Sequence, residues 1–404
     1  LNSQPTTSDA RPSGAANVII ASFLAWMLDA FDFFILVFVL SRAAAEFHVS
    51  LKDRMTLAIT VTLAFRPVGA IIFGLLADRY GRRRPMMANL VFFSAMEVLS
   101  GFAPNFTVFM ICRALFGIGM GGEWGVGAAL AMEKVPARWR GVFSGLLQQG
   151  YPCGYLLAAF CFRFLPADWS WRYLFFLGGL PALLAIFVRF NVKESEVWER
   201  HRHRDWPQLG RSVLKCWKIF LYLTVLMAAM NFSSHGTQDL YPSFLEQERH
   251  FTKNQVGNVA MIYNVGALLG GVTFGLFSDR LGRRLVIAVA LGMAALMIPF
   301  WASASTFAGL ATGAFLMQFM VQGAWGIIPA HITELSPNAV RGLLPGLAYQ
   351  CGVLLASNAA NIEAQLSKNS TYASAMGKTA LMAFALGVVV VLAGPERKAA
   401  DFVK

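Results

Sequence analysis

Long apolar runs alternate with short polar segments from Val18 to Gly394. Most runs are long enough to cross a bilayer, for which about 20 predominantly apolar residues suffice. The pattern predicts twelve helices. The first six fall at 17–41, 54–77, 86–103, 106–133, 140–164 and 171–190. The second six fall at 216–245, 254–277, 285–303, 306–333, 342–363 and 373–394. Between the sets lies VKESEVWERHRHRDWPQLGRSVLK, the longest strongly charged stretch. The expected organisation is a tail at 1–16, a six-helix bundle at 17–190, a linker at 191–215, a second bundle at 216–394 and a tail at 395–404. The expected fold class is an all-α membrane protein.

Composition agrees: 56% of the residues are hydrophobic and 14% charged, against about 25% charged in a soluble domain. The net charge of +12 does not point to nucleic acid, because the basic residues fall in loops between apolar runs. RYGRRR (Arg79–Arg84), EKVPARWR (Glu133–Arg140), the linker and RLGRR (Arg280–Arg284) alternate with the uncharged APNF and SAST. Basic even-numbered loops place both termini in the cytoplasm, and compact loops suit a bacterial inner membrane. The opening LNSQPTTSDARPSGAAN is polar and is not expected to act as a signal peptide. Cys112, Cys153, Cys161, Cys216 and Cys351 show no metal spacing and read as packing residues, not as a disulfide framework. Gly117, Gly119 and Gly122 satisfy GxGxxG, but no strand precedes them. Inside a membrane span they predict close helix packing.

The two halves repeat at a constant offset of 201 residues. GLLADRYGRR begins at Gly74 and GLFSDRLGRR at Gly275. Trp124 recurs as Trp325, Glu133 as Glu334, Pro136 as Pro337, Arg140 as Arg341 and Gln149 as Gln350. A duplicated six-helix unit implies two bundles facing each other across a central path. The twice-repeated GxLxDRxGRR resembles the signature of the major facilitator superfamily. The resemblance implies alternating access around a midplane site, with the two bundles rocking. Asp78, beside Arg79, Arg82 and Arg83, is then expected to latch the cytoplasmic ends in one state. Asp279, Arg280 and Arg283 repeat that cluster, and Glu133, Arg140, Glu334 and Arg341 are expected to join it.

Ionisable groups at membrane depth are costly and mark function by default. Asp29 and Asp32 stand one turn apart in the first span, Arg66 in the second, Glu97 in the third, Arg113 and Glu123 in the fourth, and His331 in the tenth. The seventh span carries NFSSHGTQDLYPS (Asn231–Ser243). At 100° per residue, Asn231, Ser234, His235, Gln238, Asp239 and Pro242 share one face, which predicts a wall of a water-filled cavity. Gly236 and Pro242 weaken the helix there. The stretch resembles the N-x-x-[ST]-H-x-[ST]-Q-D-x-x-x-T signature of Jen-type lactate/pyruvate:proton symporters, in the sialate:proton symporter branch. Ser243 stands where that signature has Thr.

A carboxylate substrate needs a cation or convergent donors. Arg66 is the expected anchor, because its fork grips a carboxylate at two points. Asn231, His235 and Gln238 are expected to help, with Gln149, Gln350 and Asn358 on facing walls. Asp29, Asp32, Asp239 and Glu123 are the candidates for proton coupling, because burial and a neighbouring cation pull a carboxyl's protonation in opposite directions. The expected partners are a small carboxylate anion, protons and the lipid bilayer. No cofactor or metal is expected, and the carrier is expected to work as a monomer. Lactate or pyruvate is the first substrate expected, and a larger acid such as sialate or an aromatic acid the alternative.

Overall fold

The computed structural model describes residues 15–50, 55, 57–166, 169–201, 205–357, 362, 365, 366, 370–398, 400 and 402. Asn358, a candidate for the binding wall, lies outside them. The first half comprises α1 (Ala15–Glu46), α2 (Leu57–Tyr80), α3 (Arg83–Gly101), α4 (Phe106–Lys134), α5 (Arg140–Gln148), α6 (Gly150–Phe164), α7 (Arg172–Leu177) and α8 (Leu180–Asn191). The linker forms α9 (Glu196–His201) and α10 (Trp206–Lys215). The second half comprises α11 (Trp217–Gln238), α12 (Tyr241–Gln247), α13 (Lys253–Leu281), α14 (Arg283–Ser303), α15 (Phe307–Leu335), α16 (Leu344–Ala356) and α17 (Tyr372–Ala393). Nine helices or helix pairs among the described residues are long and apolar enough to cross a membrane. The other three predicted spans correspond to α3, to α5 with α6, and to α16.

Three predicted spans are interrupted. The fifth breaks at Gln149, the sixth at Gly178–Gly179 and the seventh at Asp239–Leu240, where Pro242 opens α12. Glycines at the first two breaks let neighbours come close. A Cβ on Gly150 would stand 3.0 Å from the Phe23 carbonyl oxygen, and one on Gly178 2.2 Å from Glu97 Cγ.

Duplication extends to details that periodicity does not address. Asn105 caps α4 by accepting from the Val108 N–H, and its repeat counterpart Thr306 caps α15 by accepting from the Gly309 N–H. Gly81 and Gly282, in the two DRxGRR turns, take φ of +100° and +105°, a conformation that a side chain disfavours. Within the first half α2 packs on α4. A Cβ on Gly117 would meet the Thr62 carbonyl oxygen at 2.2 Å, and one on Gly121 that of Arg66 at 1.8 Å. The glycine cluster of the fourth span therefore does serve close packing. All five cysteines are free.

The halves meet where α5 lies on α13 and α15, and where α16 lies on α2 and α4. Backbone touches backbone there: a Cβ on Gly145 would stand 2.3 Å from the Gly271 carbonyl oxygen. No rotamer change relieves that clash, and overpacking costs about 1–3 kcal/mol. Gly145→Val is therefore expected to shift the halves apart at the basic loops by about tenfold in population. Pulsed EPR between spin labels at the exposed Trp139 and Leu281 reads this as a longer distance. An unchanged distance would mean that the interface yields elsewhere.

Candidate functional site

At the basic end, two repeat-related clusters cross-link the halves. The Asp78 carboxylate accepts from the backbone N–H groups of Gly342 and Leu343 at 2.7 and 3.0 Å, and from Arg82 at 2.7 Å. Asp279 accepts from Gly141 and Val142 at 2.8 and 3.1 Å, and from Arg283 at 2.7 Å. Each aspartate thus reaches the chain entering a helix of the opposite half, where backbone N–H groups await acceptors. Arg82 also bridges Glu133 at 3.1 Å, and Arg283 bridges Glu334 at 3.1 Å. Arg341 reaches Glu133 at 3.5 Å, and Arg140 reaches Glu334 at 3.6 Å. Both of these pairs cross between the halves. Phe402 lies between the Arg140 and Arg341 guanidinium groups, with Cζ atoms 3.6 and 3.7 Å from its ring centre.

Not every basic residue of the loops joins these clusters through its side chain. Arg280 is exposed with its carbonyl accepting from Lys398, and Arg83 donates to the Arg189 carbonyl. The sequence sets these two beside Arg82 and Arg283, but successive side chains leave a helix end in different directions. Glu194 and Glu396 take the vacant roles, accepting from the backbone N–H groups of Arg82 with Arg83 and of Arg283 with Arg284.

Above this seal lies a cavity of about 380 Å³ between the halves. Its walls differ. The first half contributes Trp26, Phe33, Phe34, Tyr151 and Tyr155, and the second contributes Asn231, Ser234, His235, Gln238, Asp239, Asn264, Gln318 and Gln322. Trp325 and Tyr349 also line it, and Tyr349 stacks near Trp124 with ring centres 4.6 Å apart. The polar face of the seventh span is therefore the cavity face. His235 Nδ1 lies 3.1 Å from Asp239 Oδ2, and their side chains are 42% and 37% exposed. This is a titratable pair open to a ligand.

Other candidates sit elsewhere. Gln149 and Gln350 are buried between the halves; Gln350 donates to the Gly121 carbonyl at 3.3 Å, and Gln149 packs on Gly271. Their preceding neighbours Gln148 and Tyr349 line the cavity instead, because one residue of helix turns the side chain by 100°. Arg66 is buried and does not line the cavity. Its Cζ lies 5.6 Å from the Tyr349 ring centre, so Tyr349 stands between it and the cavity, and its Nε and Nη2 have no hydrogen-bond partner among the described residues. Asp29, Asp32 and Glu123 are buried in the first half, and their carboxylate oxygens also find no partner there. Arg113 differs in having carboxylate and hydroxyl partners, its Nη2 donating to Glu97 at 2.6 Å and Ser100 at 2.5 Å, while its Nη1 has none among the described residues. Sequence reasoning missed Gln318 and Gln322. Their signal was present, as two amides one turn apart in the apolar FLMQFMVQG of the tenth span.

Comparison with known proteins agrees with this architecture. The family model described as sugar (and other) transporter matches residues 17–215 and 210–396. The chain is 30% identical over 378 residues to the carboxylic acid transporter protein homolog of Saccharomyces cerevisiae, covering 87% of this chain and 61% of that protein. It is 29% identical to the sialic acid transporter NanX of Escherichia coli, covering 83% of each. The proton:xylose symporter XylE superposes with a TM-score of 0.74 at 19% identity, over 96% of this chain and 98% of XylE, a likeness of fold alone. The chain belongs to the sugar (and other) transporter family of the major facilitator superfamily, whose members are membrane carriers and not enzymes.

Proposed function

We propose that the chain carries an organic carboxylate together with protons by alternating access, with the basic face and both termini in the cytoplasm. The observation that carries this reading is the cavity between the halves, lined by the His235–Asp239 pair. The same cavity is sealed at one end by charge pairs that can part and reform. An imidazole titrates near neutral pH, so a protonated His235 supplies an anion's counter-charge from within the cavity. The Tyr151, Tyr155 and Tyr263 side chains, which line the same space, add hydroxyl donors. Arg66 acts from behind Tyr349.

A volume of about 380 Å³ lies toward the small end of ligand cavities, which run from roughly 300 to 1,000 Å³. Aromatic walls on one side favour a ring-sized or unsaturated acid. The seventh-span stretch from Asn231 to Asp239 supports a second reading, a lactate or pyruvate symporter. Uptake into proteoliposomes separates the two. Labelled mandelate and labelled L-lactate are each followed with and without an inward proton gradient, against unlabelled pyruvate, acetate, sialate and benzoate. Gradient-driven accumulation of mandelate blocked by benzoate supports the larger acid. Accumulation of lactate blocked by pyruvate alone supports the shorter one. Accumulation of neither acid sinks both.

A further inference from the structure

The amides of the second-half wall form a chain whose hydrogen-bond polarity is fixed at one end by backbone. Thr237 Oγ1 donates its one proton to the carbonyl of Ser233 at 2.9 Å, shared with that of Ser234 at 3.1 Å. Its oxygen is then only an acceptor. Gln318 Nε2 lies 3.1 Å from that oxygen, so Gln318 must turn its NH2 toward Thr237 and its carbonyl oxygen away. That carbonyl oxygen lies 2.9 Å from Gln238 Nε2, which forces the Gln238 NH2 toward Gln318. The same nitrogen reaches Ser234 Oγ at 3.2 Å. Both protons of the Gln238 amide are thereby used within the wall, and its carbonyl oxygen is what remains for the cavity. Gln318 and Thr237 are 2% exposed, so water cannot readily substitute for either link.

We propose that Thr237 and Gln318 are specificity-determining positioning residues, which hold Gln238 as a fixed acceptor and make the cavity select hydroxylated acids over their keto counterparts. The inference rests on the organic-acid reading above and names the substrate class more narrowly. A hydroxyl donates to Gln238 Oε1. A keto oxygen in the same place sets acceptor against acceptor, and the amide cannot flip without breaking its bonds to Gln318 and Ser234. The carboxylate is left to the His235 side of the cavity.

The test uses two matched pairs, mandelate with phenylglyoxylate and L-lactate with pyruvate, binding to the purified full chain. Quenching of Trp26 and Trp325, which line the cavity, is the readout. The hydroxy member of whichever pair binds should be tighter by about tenfold, the scale of one made against one unmade hydrogen bond. Thr237→Val removes the anchor while keeping the shape, frees Gln318 and Gln238 to flip together, and should bring that ratio close to one. Thr237→Ser restores the hydroxyl and should restore the ratio. A merely structural role would weaken both members alike and leave the ratio in place. Equal binding of the two members by the unaltered protein, or an unchanged ratio in Thr237→Val, overturns the relay while leaving the organic-acid reading intact. Binding of neither pair overturns the organic-acid reading, and the relay with it.

Discussion

Asp78→Asn is expected to open the basic face of the carrier and to slow transport by one to two orders of magnitude. The Asp78 side chain is fully buried with that of Arg82, and it receives two backbone N–H groups from the opposite half. Asparagine keeps the shape but loses the charge, and it turns an NH2 toward groups that are themselves donors. Removing one partner from a buried, hydrogen-bonded charge cluster costs about 3–5 kcal/mol. Even the lower figure moves the closed-to-open ratio by about 100-fold. The readout is a single cysteine, Ser144→Cys, in an otherwise cysteine-free protein. Ser144 is wholly buried on α5 and accepts from the Ala330 N–H across the interface. Its reaction with a water-soluble thiol reagent, applied from the side of the basic loops, should quicken by about two orders of magnitude in the Asp78 variant. An unchanged rate would falsify the assignment of Asp78 to the seal. Asp279→Asn should act in the same direction but less, since that carboxylate is 8% exposed and water can take part of its load.

The residues of the seal were legible because the chain states them twice. Asp78 with Asp279, Arg82 with Arg283 and Glu133 with Glu334 recur at one offset; the structure adds that each cluster grips the other half and that Glu194, Glu396 and Phe402 join it. The seventh-span face was legible for a different reason: five polar side chains at helical spacing in an apolar run find inexpensive surroundings in a cavity. What periodicity does not carry is rotation about a helix axis within a polar cluster. Gln149 and Gln350 were natural choices over Gln148 and Tyr349 because they are repeat-related amides. Whether a side chain points along the interface or into the cavity depends on how α5 and α16 are rolled against α13 and α2. Arg66 illustrates the same limit in depth. Its span and level were readable, but not the Tyr349 ring that stands between it and the cavity, because that ring arrives from the other half of the chain. Gln318 and Gln322 were readable as two amides one turn apart, but what they hold depends on their partners Thr237, Gln238 and Ser234 on α11.

Asp29→Asn is expected to abolish accumulation against a gradient while leaving exchange in place. Asp29 is completely buried with no hydrogen-bond partner for its oxygens among the described residues. Arg66 and Glu97 act on its charge, and Glu123 interacts with both Asp29 and Arg66. An ionised carboxylate in such a place costs several kcal/mol unless a cation answers it. One guanidinium cannot answer both Asp29 and Glu123, so the proposed proton coupling places the coupled proton among them. Tyr349 then becomes the link to the substrate, because it contacts Arg66 on one side and the cavity on the other. On this reading, when Asp29 takes a proton Arg66 loses one of the carboxylates it interacts with, and its attraction for an anion beyond Tyr349 grows. Asparagine imitates the protonated acid permanently. The variant should therefore bind and exchange substrate across a range of pH, while its accumulation ratio under an inward proton gradient falls to about one, the value for a carrier with no coupling free energy. Counterflow and gradient-driven uptake, measured in the same proteoliposomes, separate the two properties. Loss of both points to a structural ion pair with Arg66. Retention of both moves the proton to Glu123, where Glu123→Gln should then produce the uncoupled behaviour.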